Sequence, residues 1–447
     1  MLVCVLLFTA LLAYTWNHFV RLVGRTLPSR SFPSTRDDSP LERIRFVLQP
    51  PKAPLSQLLL ERSTANARIS RALGLSNTFA NPDPLVHSEF VRRSRVLLRE
   101  VQVNGWTRFH QTCALAVQST LRDWLEPNIR FDKFVQVVVL RSILVGLLNV
   151  GKDVEELEYS SLSVVATLIN DLWTLSKSGA PLPSDLQQQL NDHLRHLIPA
   201  SADFGNPIDF VVPTWETMWR VCATTVARAQ ECEEYKYLFR ELLRQTDSLT
   251  SQQFVAAGSQ GFSVRGFVEE VMRLHPPVKR ISRLRAALCD ATSRRTIIGR
   301  IWARINGTEA SADGPVRHSA DVEAVLRAQS IWGHDALSFD PRSHRADTPQ
   351  RKEAQQVVFG FGHLRCVAAS WAPDAAAVIS ATILEECREL RLARPSQVPG
   401  LDLGNAQVFE ALGHLTYPSL DTSQPARQLS RPAGLSDEVV PEPRRAW

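Results

Sequence analysis

The chain has 447 residues, 44% of them hydrophobic and 22% charged, a balance that excludes a disordered or fibrous protein. Lys and Arg total 51 against 46 Asp and Glu, a formal charge of +5. No basic stripe with interleaved aromatics accompanies that charge, so no nucleic-acid partner is expected. The seven cysteines are odd in number and contain no CxxC pair. They speak against a disulfide framework or zinc site and place the bulk of the chain in a reducing compartment.

Residues 1–22 open with an uncharged apolar run (LVCVLLFTALLAYTW) followed by Arg21, Arg25 and Arg30. The run is short for a spanning helix, but the flanking arginines would hold that end in the cytosol. A cleaved signal peptide is the competing reading. No basic residue precedes the run and no small-x-small site follows it, so an uncleaved membrane anchor is expected. Residues 23–54 are rich in Pro, Ser and Arg and read as a linker. Residues 131–150 (FDKFVQVVVLRSILVGLLNV) are apolar nearly all round, as a buried helix would be, and Asp132, Lys133 and Arg141 make them a poor membrane span. Helical periodicity recurs at 161–176, 183–197, 215–245, 264–274 and 372–391. Residues 278–317 are β-branched and turn-rich, so the small sheets are expected there. Residues 421–447 lack periodicity and read as a loosely ordered tail.

Two segments carry chemistry. Phe359-Gly360-Phe361-Gly362-His363-Leu364-Arg365-Cys366 describes a tight apolar loop ending on a cysteine before an Ala-rich helix. A helix dipole and the cations His363 and Arg365 would favour a thiolate at Cys366, suited to a soft metal centre. Most buried free cysteines are simply small core residues, and the octapeptide alone leaves both readings open. Val268 to Val278 (VEEVMRLHPPV) sets Glu270 and Arg273 three apart on one helical face before Pro-Pro. Such a pair is by itself usually a solvated salt bridge.

Together, in this order, the segments resemble the cytochrome P-450 family: an ExxR helix ending in LxPP, then a haem loop of the form FxxGxxxC. Residues 213–217 (PTWET) fall where that family's central helix carries an acid-alcohol pair, and Glu216 and Thr217 match it. Residues 331–341 resemble the meander before the haem loop. Trp106 with His110 resembles the WxxxR of a helix flanking the propionates, with His110 in the Arg position. The resemblance spans roughly residues 55–420 and is nearest in style to fungal members.

It implies a mainly α fold with small β-sheets, a single large haem domain behind an N-terminal anchor. It further implies heme b with Cys366 as axial ligand and Trp106, His110, Phe359, Gly362, His363 and Arg365 around the cofactor. Glu216 and Thr217 would relay protons to the distal oxygen, and Glu270 and Arg273 would be structural. The expected activity is insertion of one oxygen atom of O2 into an apolar small molecule such as a lipid, terpenoid or polyketide, in secondary metabolism. Electrons would come from NADPH-cytochrome P-450 reductase at the endoplasmic reticulum membrane, with the catalytic domain cytosolic and the lipid bilayer holding the anchor. A reductase-independent isomerase or dehydratase of the same fold and a haem-poor non-enzymatic member are the alternatives. Three positions depart from the family pattern. Leu364 stands where Arg or His often binds a propionate, and Ala368 where a glycine is usual. The meander reads Pro341-Arg342-Ser343-His344, so its arginine is out of place and Arg342 or Arg345 would have to substitute.

Overall fold

The computed structural model describes residues 39–124, 128–178, 181–200, 204–244, 249–258, 261–285, 315–342, 348–388, 391–392 and 414–416. The expected anchor, the expected tail over 421–447 and Arg345 lie outside them. Among the described residues no helix is long and apolar enough to cross a membrane.

Among the described residues the fold is mainly helical with two small antiparallel sheets. The first helix, α1 (Pro40–Leu48), corrects the expected linker. Ser39 caps it by accepting from the Glu42 N–H, Pro40 suits its first turn, and Leu41, Ile44, Val47 and Leu48 are buried along one face. A helix with such a stripe packs rather than spaces. Next come α2 (Leu55–Leu73), α3 (Pro84–Asn104) and α4 (Trp106–Asp123). Gly105, at φ 83°, makes the corner between the last two.

Helix α5 (Phe131–Gly146) is buried on nearly every side, as its sequence requires. Its charged side chains all find hydrogen-bond partners. Arg141 donates to Thr120 Oγ1, to Asp123 Oδ2 at 2.5 Å and to the Leu157 carbonyl; Asp132 accepts from Arg130; and Lys133 donates to Thr167 Oγ1. Helices α6 (Tyr159–Leu175) and α7 (Ser184–Leu197) pack together beside it.

The helical stretch expected over 215–245 is two helices, α9 (Met218–Ala229) and α10 (Glu233–Arg244), preceded by α8 (Ile208–Trp215). Pro213 has no N–H to give the Asp209 carbonyl. That carbonyl instead accepts from Asn77 Nδ2 at 2.7 Å. The Asp209 carboxylate takes the Ser76 and Asn77 N–H groups, which pins the start of α8 to the turn after α2. The break falls on Glu216 and Thr217. The short α11 (Ser251–Val255) and then α12 (Val264–Leu274) follow, the latter with the predicted bounds.

Strands β2 (Arg280–Arg285) and β3 (Val316–Asp321) pair in register Arg283↔His318; β2 lies inside the 278–317 segment expected to hold a sheet, and β3 runs past its end. Asn128–Arg130 (β1) and Arg391–Leu392 (β4) flank His414–Thr416 (β5) in the other sheet. Between them run α13 (Val322–Leu326), α14 (Gln329–Trp332), α15 (Pro349–Gln356) and α16 (Ala372–Glu386). The last ends five residues before the expected 391, and Arg391 belongs to β4. Its Ala-rich surface lies buried against α4, α9, α10 and α12, close behind the cysteine loop.

Candidate functional site

Two glycines shape the cysteine loop. Gly360 sits at φ 77°, ψ −170°, a region almost closed to residues with a side chain, and Gly362 at φ 69°. A short 3-10 turn over Gly362–Leu364 lies between them and the cysteine, and the Cys366 N–H returns to the Phe359 carbonyl at 2.8 Å. Phe359 and Phe361 pack half-buried on the core. The loop is tied to α1, since the His363 N–H donates to Gln49 Oε1 at 3.0 Å.

Cys366 is exposed, whereas Cys113, Cys222 and Cys387 are buried and Cys232 is half-buried. It opens on a hollow of about 400 Å3 whose walls include His87, Val91 and Arg95 of α3 opposite His363 and Arg365. The three α3 residues share a face by their i, i+4, i+8 spacing. Desolvation by its surroundings pushes the Cys366 thiol up, against the Ala368 N–H and the Arg365 charge. The helix dipole expected to favour a thiolate does not reach the sulfur. Hydrogen-bonded turns occupy 367–371 and α16 begins only at Ala372, so its dipole acts too far away. Its exposure sets Cys366 apart from the buried cysteines of the core.

The remaining predicted residues fall elsewhere. Arg365 donates to Gln356 Oε1, and Leu364 is half-buried. Trp106 and His110 belong to α4, which does not line the hollow. Trp106 is 2% exposed and stacks on Trp371 at 5.9 Å, with Phe254 and Phe109 edge-on at 5.1 and 5.9 Å. It thus packs behind the cysteine loop. His110 is half-buried, and desolvation lowers its pKa.

Glu216 and Thr217 do not line the hollow either. Glu216 is buried and held with both oxygens by Arg220, at 2.7 and 3.0 Å, and that guanidinium lies 4.6 Å over the Trp219 ring. Thr217 stands half-buried before α9 without capping it.

Glu270 and Arg273 are 0% and 2% exposed, so their pair is a core element and not a solvated bridge. Arg273 places all five N–H groups: two on Glu270, both at 2.7 Å, and one each on the Leu326, Ala336 and Ser338 carbonyls. The Asp340 N–H also reaches Glu270 Oε1 at 2.9 Å. Backbone from the meander thus bonds the pair directly, and Arg342 lies instead over the Phe262 ring at 5.5 Å.

Sequence reasoning missed His87 and Arg95, though a basic i, i+8 spacing on one helical face was there to see. The donor set suits a prosthetic group that combines a soft metal with acidic substituents. It has one accessible sulfur, cationic or imidazole side chains on both walls, and no carboxylate in the lining.

No family model and no curated protein matches the chain. Among solved structures it is similar to the retinoic-acid-bound cyanobacterial CYP120A1, with 14% identity, a TM-score of 0.48, and coverage of 71% of this chain and 75% of that one. It is also similar to the cytochrome P450DA heme domain, with 14% identity, a TM-score of 0.48, and coverage of 77% and 80%. A mutant of that domain gives 13% identity and a TM-score of 0.47. Likeness at that level assigns neither an activity nor a substrate.

Proposed function

We propose that the chain is a haem-thiolate protein of the cytochrome P-450 kind, with Cys366 as the axial ligand and monooxygenation as its activity. The observation that carries this reading is the opening of Cys366 onto a hollow of about 400 Å3 with cationic walls. When bound, haem supplies oxygen activation and electron transfer, which a thiolate ligand tunes toward O–O cleavage.

In this reading Cys366 would hold the metal as its thiolate, since ligation favours the deprotonated sulfur against the desolvation of the free thiol. His87, Arg95 and Arg365 hold acidic substituents at the rim. Phe359 and Phe361 exclude water from the sulfur's side. Glu270 and Arg273 fix the core that presents the loop. Glu216 and Thr217 are the proton-handling pair at the α8–α9 break, working when the Glu216–Arg220 ion pair opens. The apolar substrate, the anchor in residues 1–22, the endoplasmic reticulum setting and an NADPH-dependent reductase partner belong to the same proposal. The deciding experiment is a haem titration of the purified chain. One equivalent should bind with a sharp Soret rise, and Cys366→Ala should lose the thiolate spectrum; equal binding and equal spectra would refute the assignment.

The bidentate hold of Arg220 on Glu216 favours a second reading, an isomerase or dehydratase of peroxides that needs no proton relay. Turnover of a fatty-acid hydroperoxide without NADPH would select it.

A further inference from the structure

Helix α1 grips the cysteine loop at two points. Arg45 and Gln49 stand four apart, on one face at its C-terminal end. Gln49 closes the helix, its own N–H returning to the Arg45 carbonyl at 2.7 Å. Its side chain accepts from the His363 N–H at 3.0 Å, three residues before Cys366. Among the described residues, no other side chain from outside 356–371 hydrogen-bonds to residues 359–366. The fit is close, since a Cβ at position 362 would lie 2.9 Å from both Cβ and Cδ of Gln49. Glycine at 362 thus serves the approach of this side chain as well as its own φ of 69°.

Arg45 holds the stem of the same loop. Its Nε donates to Glu353 Oε1 at 2.5 Å and its Nη2 to Glu353 Oε2, a forked, charge-assisted pair. Glu353 belongs to α15, which runs through the 3-10 turn Val357–Phe359 into Gly360. Helix α1 is itself firmly seated. Besides its buried stripe, Arg285 Nη2 takes the Phe46 and Val47 carbonyls at 3.2 and 2.6 Å, two of those that a helix C-terminus leaves without partners.

The loop's other hydrogen bonds are local. The Cys366 N–H returns to the Phe359 carbonyl and the Arg365 N–H to the Gly362 carbonyl, at 2.8 and 3.2 Å. Such bonds fix the internal shape of a turn but not its direction relative to α3 across the hollow. Behind the cysteine, Arg265 of α12 donates to the Ser370 carbonyl at 3.1 Å. The sulfur therefore sits on a short span held in front by α1 and behind by α12.

We propose that Gln49, with Arg45 behind it, is a positioning residue for Cys366: the α1 clamp sets how the loop presents the sulfur to the hollow opposite His87, Val91 and Arg95. It rests on the haem reading only for what the sulfur would hold.

The test uses the full haem-free chain with three substitutions. Gln49→Leu keeps the bulk and removes the acceptor, Gln49→Glu keeps an acceptor, and Arg45→Met releases the stem. Alkylation of Cys366 is timed by mass spectrometry at one alkaline pH, where urea titration shows each variant folded. With its tip freed, the loop opens the sulfur to reagent, and Gln49→Leu should react about fivefold faster, the factor that one net hydrogen bond is worth. Gln49→Glu should match the wild type. Arg45→Met, which leaves Gln49 in place, should also react faster, and it decides the matter where Gln49→Leu is not folded. The buried Cys113, Cys222 and Cys387 should stay unreacted throughout, which separates movement of the loop from general loosening. If Gln49→Leu and Arg45→Met lower the urea midpoint but alkylate at the wild-type rate, the contacts are merely structural and the proposal is overturned. It is equally overturned if Gln49→Glu reacts as fast as Gln49→Leu. None of these measurements needs haem, so failure here and failure of the haem titration are separate results.

Discussion

Glu270→Gln tests most sharply how the core behind the cysteine loop is held. The carboxylate accepts from Arg273 Nε and Nη2 and from the Asp340 N–H, and both Glu270 and Arg273 are buried. The amide removes the charge and turns a donor toward a donor, leaving Arg273 buried without its counter-ion. Breaking one side of a buried pair costs about 3–5 kcal/mol. Against a typical total of about 5–15 kcal/mol, that is a large share. In urea titrations followed by tryptophan fluorescence, the midpoint should fall by roughly 1 M or more. Arg273→Lys should also destabilise, since an ammonium has three donors for five acceptors. In the cycle with Glu270→Gln/Arg273→Met, the two changes should be strongly coupled. A loss below about 0.5 kcal/mol, the scale of an exposed pair, would refute the reasoning.

Gly362→Ala should cost about 1–2 kcal/mol from its φ of 69°, and its new Cβ would also stand 2.9 Å from Gln49 Cβ; urea midpoints check this. Asp374, in the first turn of α16, is pushed up to about 7 by burial, with Arg265 opposing and Glu269 adding. Between about 4 and 7 the folded chain keeps a proton that the unfolded chain has lost. Stability from this group therefore falls as pH rises through that window and levels off above it, by on the order of 4 kcal/mol at most. Asp374→Asn should flatten that part of a pH series of urea midpoints. Alkylation of the native chain, mapped by mass spectrometry, should modify Cys366 ahead of the buried Cys113, Cys222 and Cys387. Its rate should climb only at alkaline pH, as the raised thiol pKa requires.

Much of the helical core was legible because periodicity reports burial. The 131–150 run could only be an interior helix, and 264–274 carried its cap and its Pro-Pro stop in plain view. The helix over 40–48 was hidden because prolines on either side mask four apolar residues at helical spacing. The break at Glu216 and Thr217 was hidden for another reason. Pro213 signals a kink, but only Asn77, far away in sequence, makes the freed carbonyl tolerable. At the site, Cys366 was legible from its glycines, and Glu270 with Arg273 from their spacing. The wall facing the sulfur was not. Trp106 and His110 offered a motif and Val91 and Arg95 did not, although tertiary packing brings α3 to the hollow.

The central claim is that the sulfur at position 366 takes an iron porphyrin. The most direct measurement is the absorbance spectrum of the haem-loaded full chain, reduced and saturated with carbon monoxide, beside Cys366→Ala. A strongly red-shifted Soret band in the wild type, absent from the variant, is the expected result. A band at the position typical of histidine-ligated haem, or one unchanged by Cys366→Ala, would contradict the account.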